Sequence, residues 1–141
     1  MSTQEKLIQE FASLETWEEK YEKLIHLGRD LPDLPEKHKT EDHKIRGCQS
    51  RVWLVAELDK ENKLLFQAQS DSMLVQGLLS ILLGIYSGLS PAEVLNTSPD
   101  FISKIGFDTY LSPTRANGLA AVLKQIKIYA LGYQAILFKN T

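Results

Sequence analysis

The stretch that most restricts the fold is "MLVQGLLSILLGIY", Met73 to Tyr86, which is apolar on nearly every face. A helix that is apolar all round has to be covered on all sides. Gln76 and Ser80 interrupt the run, and it is too short to cross a hydrocarbon core, which takes about 20 residues. It therefore predicts a buried central helix around which the rest of the chain is arranged. With 141 residues the chain is the size of one domain with one core. At that size folding buries roughly two-thirds of the unfolded surface, so no disulfide or metal staple is required.

The flanking helices are well punctuated. "TWEEKYEKLIHLG" places Thr16 and Glu19 at capping-box spacing and Gly28 where a left-handed terminator would sit. Trp17, Tyr21, Leu24 and Leu27 recur at helical spacing and make one apolar face. Serine–proline starts at Ser90–Pro91, Ser98–Pro99 and Ser112–Pro113 each predict a helix, the first with Glu93 at the third position. The last opens a long helix with Leu119, Val122, Leu123, Ile126 and Ala130 along one side. These starts reflect cap chemistry, and no internal repeat accompanies them.

The middle of the chain reads as strands. "RVWLVAELDKENKLLFQAQSDS" carries two runs rich in Val, Leu, Trp and Phe around the polar "DKENK", a hairpin signal. "HKIRG", just upstream, is expected to add a short third strand. "GRDLPDLPEKHKTEDHK" is a polar, proline-containing connector. Two or three antiparallel strands with segregated helices define an α+β domain spanning residues 1–141.

Composition narrows the function. A formal charge of −2 gives no general attraction for phosphate backbones, and no RNA-binding signature or zinc-finger spacing appears, which argues against nucleic acid as a partner. The N-terminal "MSTQEKLIQEF" lacks the apolar run of a signal peptide, so a cytoplasmic location is expected. A lone cysteine, which cannot form an internal disulfide, agrees with a reducing compartment.

That cysteine, Cys48, lies in "KIRGCQSRVW" at the expected strand-to-strand turn. A packing cysteine is expected on an apolar face, whereas this one lies among Arg46, Gly47, Gln49, Ser50 and Arg51. Neighbouring cations favour a thiolate. Metal binding is disfavoured, because clusters and structural zinc usually need three or four converging ligands, and His26, His38 and His43 show no ligand spacing. Cysteine hydrolysis needs a histidine base in hydrogen-bond reach of the thiol, and His43 is the nearest in sequence. Sulfur relay needs less: an accessible nucleophile exchanging at a persulfide, with no second thiol to discharge it as a disulfide. Inert packing, hydrolysis and relay all stay open on these residues alone.

A family resemblance separates them. "GCQSRVW" resembles the cysteine motif of SufE-type sulfur acceptors, the small partners of pyridoxal-phosphate cysteine desulfurases. "WEEKYEKLIHLGRDLP", "SDSMLVQGLLSILLGIYSGLSPAEV" and "LSPTRANGLAAVLKQIK" resemble further motifs of the same family, in the same order and over nearly the whole chain. The resemblance implies an α+β fold shared with IscU-type cluster scaffolds. It also implies an accessory protein rather than a stand-alone enzyme. Such a protein takes sulfur onto Cys48, stimulates its desulfurase and passes sulfur toward an iron–sulfur scaffold. The pyridoxal phosphate would belong to the partner, with no cofactor here, and a weak homodimer is compatible with this picture. A pure adaptor that stimulates the desulfurase by binding alone is the competing reading.

Beside Cys48, the resemblance singles out Arg115 in "RANGL", where a cation in a helix's first turn is otherwise mildly disfavoured. Gly47, Gln49, Ser50, Arg51 and Asp71 are expected to shape the loop or touch the partner. Many relatives carry Gln where this chain has Arg51, and "QSD" at Gln69 to Asp71 stands where an acidic residue often begins the motif. Both departures bear on partner preference. Ser72 is expected to cap the central helix, and Trp53 to lie in the core. In the free protein Cys48 is expected to turn inward against the Met73–Tyr86 helix, with Arg46 and Arg51 stabilising a thiolate only once it turns outward.

Overall fold

Thr16, Ser72 and Ser90 each cap a helix as their sequence positions require. In the computed structural model, which describes residues 3–47, 50–107 and 111–139, their hydroxyls accept the amides of Glu19, Val75 and Glu93. Among the described residues the α-helices are α1 (Thr3–Ala12), α2 (Trp17–Arg29), α3 (Met73–Tyr86), α4 (Pro91–Asn96), α5 (Phe101–Ile105) and α6 (Pro113–Lys139). At Ser90 the box is reciprocal, and the hydrogen bonds from Ser90 and then Lys63 hold the Glu93 carboxyl below its usual pKa. The Ser98–Pro99 start is displaced. Ser98 Oγ accepts the Asp100 amide in a turn, and α5 begins only at Phe101.

The central helix is buried as its composition demands. Leu74, Leu78, Leu79, Ile81, Leu82, Leu83, Ile85 and Tyr86 of α3 lie in the core with Phe11, Leu24, Ile126 and Ala130 of the surrounding helices. Gln76, its polar interruption, is paired rather than exposed to loss: Oε1 accepts the Ser70 amide at 2.7 Å, and Nε2 reaches the Gly28 carbonyl at 3.4 Å. Met73, at the first turn, is 57% exposed.

Gly28 does not terminate α2. The helix runs through it to Arg29 and ends at Asp30 in a right-handed conformation. The glycine is there because α2 and α3 cross at contact distance. A Cβ on Gly28 would stand 2.8 Å from Gln76 Cβ, and one on Gly77 would collide with the Leu24 carbonyl. The demand is on space, not on φ.

β1 (Val52–Leu58) and β2 (Leu64–Ser70) form an antiparallel hairpin in the register Val52↔Ser70 to Leu58↔Leu64. Asp59 organises the turn by accepting the amides of Glu61 (2.8 Å) and Lys63 (2.9 Å), with Asn62 at φ 63°. The expected third strand reduces to one bridge, Lys44 opposite Trp53, because a 3₁₀ turn ends at His43 and Gly47 turns away at φ 91°. The sheet therefore has two strands among the described residues.

A two-stranded ribbon is marginal alone, and here both edges are closed. On β1 the carbonyls of Val52, Leu54 and Ala56 accept the Ile45 amide and the hydroxyls of Tyr129 and Tyr133 from α6. Burial, and then the neighbouring Tyr133, push the Tyr129 phenol up in pKa. On β2, Leu64 exchanges hydrogen bonds with Gly88 and Leu89, and the Phe66 amide donates to Ser87 Oγ at 3.0 Å. Trp53 is only half-buried and stands outside the contiguous core, since it projects from the opposite sheet face to Val52 and Leu54.

Lys127 ties α6 to α4. Its ammonium donates to the carbonyls of Val94 and Thr97 (2.8 Å to Thr97) at the C-terminal end of α4 and lies 5.1 Å from the centre of the Tyr86 ring. A cation there complements the helix dipole, although burial lowers the Lys127 pKa. No helix among the described residues is long and apolar enough to cross a membrane.

Candidate functional site

Cys48 and Gln49 lie outside the described residues, so the site is defined by what stands on either side. Gly47 delivers the chain to Cys48 with φ 91°, a backbone region that L side chains resist. Crowding is not the reason for this glycine, because an added Cβ would meet only Ala121 Cβ, at an ordinary 3.8 Å. Beyond the pair, Ser50 is half-buried and Arg51 is exposed.

Arg51 and Asp71 close this end of the sheet. The Arg51 amide donates to Asp71 Oδ1 at 3.0 Å and its Nε to Oδ2 at 3.3 Å, while the Asp71 amide donates to the Arg51 carbonyl at 3.2 Å. The side chains are 64% and 47% exposed, so the charge attraction itself is screened and weak. Its effect is geometric: it extends the ladder one residue past Val52↔Ser70 and fixes where the thiol loop ends. Arg51, expected to serve a thiolate, is thus engaged by a carboxylate in this structure.

A cavity of about 310 Å³ adjoins Ser50. Its floor is apolar, made by Val52 of β1, Leu78, Leu79 and Leu82 of α3, and Leu119 and Val122 of α6. Its rim is polar: Ser50, Ser72, Ser112, Thr114 and Arg115. Ser112 accepts the Arg115 amide at 3.3 Å, which sets the first turn of α6 and stations Arg115 at the rim. The structure therefore brings Ser50 and Arg115 together around one cavity. Arg51 and Asp71 are joined as a clasp beside it, and Gly47 faces Ala121 of α6.

Sequence reasoning missed Thr114 at the rim, and saw Ser112 only as a cap. It also missed the role of Gln76, which ties the Ser70 end of β2 to α2. The one polar residue in the first turns of an apolar run was the available signal for Gln76.

The histidines do not assemble a second centre. His43 Nδ1 lies 3.0 Å from Thr40 Oγ1, its ring is 5.8 Å from that of His38, and His26 is exposed on α2. Among the described residues no three His, Cys, Asp or Glu side chains are grouped so as to hold a metal.

An α+β fold in which Gly47 and Ser50, the described neighbours of the lone cysteine and the residue after it, stand beside the hairpin, Ser50 lining an apolar-floored cavity, defines the class of protein to be sought. Residues 5–130 match the SufE family, described as an Fe-S metabolism associated domain. An uncharacterised SufE-like protein of Rhizobium meliloti is 40% identical over 136 residues, covering 94% of this chain and 97% of its own. SufE-like protein 1 of Arabidopsis thaliana, chloroplastic/mitochondrial, is 37% identical over 127 residues, covering 90% of this chain and 34% of its own. In fold the chain is similar to the solution structure of a hypothetical protein from Thermus thermophilus, with TM-score 0.78 at 21% identity, covering 96% of this chain and 99% of that one. The chain belongs to the SufE family.

Proposed function

We propose that this chain acts as a single-domain sulfur acceptor, with Cys48 as the nucleophile and a pyridoxal-phosphate cysteine desulfurase as its partner. The observation that supports the reading is where the chain's lone cysteine falls in the sequence. It sits between Gly47, at positive φ, and Ser50, at the rim of an apolar-floored cavity, in a SufE-family chain.

The Cys48 thiolate attacks the outer sulfur of the partner's persulfide. A new sulfur–sulfur bond forms at Cys48, the donor's sulfur–sulfur bond breaks, and the donor cysteine leaves as a thiolate with the electron pair. No external oxidant or reductant enters. The persulfide is then surrendered by the same exchange toward iron–sulfur cluster assembly. Clearing the donor cysteine frees the desulfurase for its next turnover, which is how the acceptor stimulates it.

The inward resting position of Cys48 lies outside the described residues, and we include it in the proposal. Two features support it: the cavity starts at Ser50, and a thiol is small and weakly polar, so an apolar floor costs it little. Arg115 at the rim is assigned to positioning or docking. The hydrolase reading gains nothing from His43, whose ring is held by Thr40 and His38.

Intact-protein mass spectrometry after incubation with desulfurase and free cysteine tests the proposal. Sulfur removable by a thiol reductant is expected on the wild-type protein and not on Cys48→Ser. Reducible sulfur on Cys48→Ser would show that the nucleophile is misassigned.

A further inference from the structure

The cavity beside Ser50 is larger than a resting place for one thiol needs to be. It encloses about 310 Å³. A thiol group is about the size of a water, whose share of liquid volume is about 30 Å³. The volume instead matches the low end of small-molecule sites, roughly 300–1,000 Å³. The floor is aliphatic, and the rim adds one fixed charge. Among the described lining residues Arg115 is the one charged group, and no described carboxylate forms an ion pair with it. Arg51, by contrast, is occupied by Asp71. A guanidinium left unneutralised at the mouth of an apolar hole suits a carboxylate, which it holds by two parallel hydrogen bonds. Ser72 and Ser112 on the same rim accept backbone amides through Oγ and still have a hydroxyl proton to donate.

We propose that the cavity binds a small aliphatic thiol bearing a carboxylate, and that this molecule takes sulfur from Cys48. The acid sits at Arg115, the carbon chain lies over the aliphatic floor, and the sulfur is turned toward Ser50. The sulfur on Cys48 is that of the relay proposed above, on which this step rests; the binding site itself stands on the described residues. The thiolate of the small molecule attacks the outer sulfur of the Cys48 persulfide. A sulfur–sulfur bond forms on the small molecule, the bond to the Cys48 sulfur breaks, and Cys48 leaves as a thiolate with the electron pair. The proton shed by the attacking thiol matches the one Cys48 regains, and no oxidant or reductant enters. The chain thereby has a second outlet for sulfur, a small soluble persulfide, beside a protein scaffold.

Two measurements separate the site from the relay. In Cys48→Ser, butanoate, which has the acid and the chain but no sulfur, is titrated by NMR. Amide shifts should saturate at millimolar concentration around Leu78, Leu119 and Val122. Adding Arg115→Gln should raise the half-saturating concentration about tenfold or more. For transfer, protein loaded by the desulfurase and separated from it is mixed with mercaptopropionate or with its neutral counterpart mercaptopropanol. Loss of the added sulfur is followed by intact mass, each rate being divided by that of the same thiol against urea-unfolded persulfide. The acid should saturate and outpace the neutral thiol about tenfold, an advantage that Arg115→Gln removes and Arg115→Lys partly restores. Val75→Phe, which narrows the cavity from α3, should remove saturation as well. Absence of butanoate shifts at the cavity, or equal normalised rates for the two thiols, overturns the proposal. So does an Arg115→Gln protein that keeps the acid's advantage and loses only desulfurase binding. Failure to load sulfur at all contradicts the relay instead, and the butanoate titration then decides the site by itself.

Discussion

The α2–α3 crossing and the thiol tip each depend on a glycine, for opposite reasons. Gly77 is needed because the Leu24 carbonyl occupies the space where a Cβ would go, while Gly47 has open room and is needed for its φ of 91°. The crossing is buried and joined by apolar contact, whereas Gly47 and Arg51 on either side of the thiol are exposed and Arg51 is joined to Asp71. Stability is therefore concentrated at the first, and the proposed chemistry at the second. Substitutions should separate the two.

The largest effect is expected at the crossing. Gly77→Ala drives a methyl into backbone and should cost about 3 kcal/mol or more in urea unfolding, as overpacking of a tight interior does. The surviving folded fraction should still accept sulfur. An unchanged midpoint would show that α2 and α3 are less tightly joined than described.

A second effect marks the far end of α3. Burial pushes the Tyr86 phenol from 10.0 up to about 12. The folded state then holds a proton that the unfolded state releases, so this stabilisation is present below pH 10 and lost as pH rises toward 12. It amounts to at most about 3 kcal/mol. Tyr86→Phe should show a smaller alkaline loss than wild type, measured as the difference between the two unfolding curves against pH. Parallel curves would remove Tyr86 from the account of the core.

The smallest stability effect belongs to the tip. Asp71→Ala removes a half-exposed clasp and should cost less than about 1 kcal/mol. It should nonetheless accelerate alkylation of Cys48, because the loop loses its fixed end. A large stability loss with an unchanged alkylation rate would reverse the comparison.

How much of this was legible in the sequence follows the same division. The buried central helix, the Asp59–Lys63 turn and the caps at Ser72, Ser90 and Ser112 depend on residues close in the chain, and they were readable. Gly28 was misread because a terminator and a close-approach glycine look alike until α3 is in place. Trp53 was placed in the core on residue type, although its strand parity puts it on the opposite face to Val52 and Leu54. At the proposed site, Cys48 stands out as the chain's lone thiol, and Arg115 through a motif that resembles the family's. The Arg51–Asp71 clasp joins residues 20 apart, and no local pattern announces such a pairing.

Desulfurase turnover with wild-type protein and with Cys48→Ala tests the central claim most directly. Added wild-type protein should raise turnover of free cysteine, and folded Cys48→Ala should not, because only a nucleophile clears the donor's persulfide. Equal stimulation by both proteins would contradict the relay and leave an adaptor that acts by binding alone.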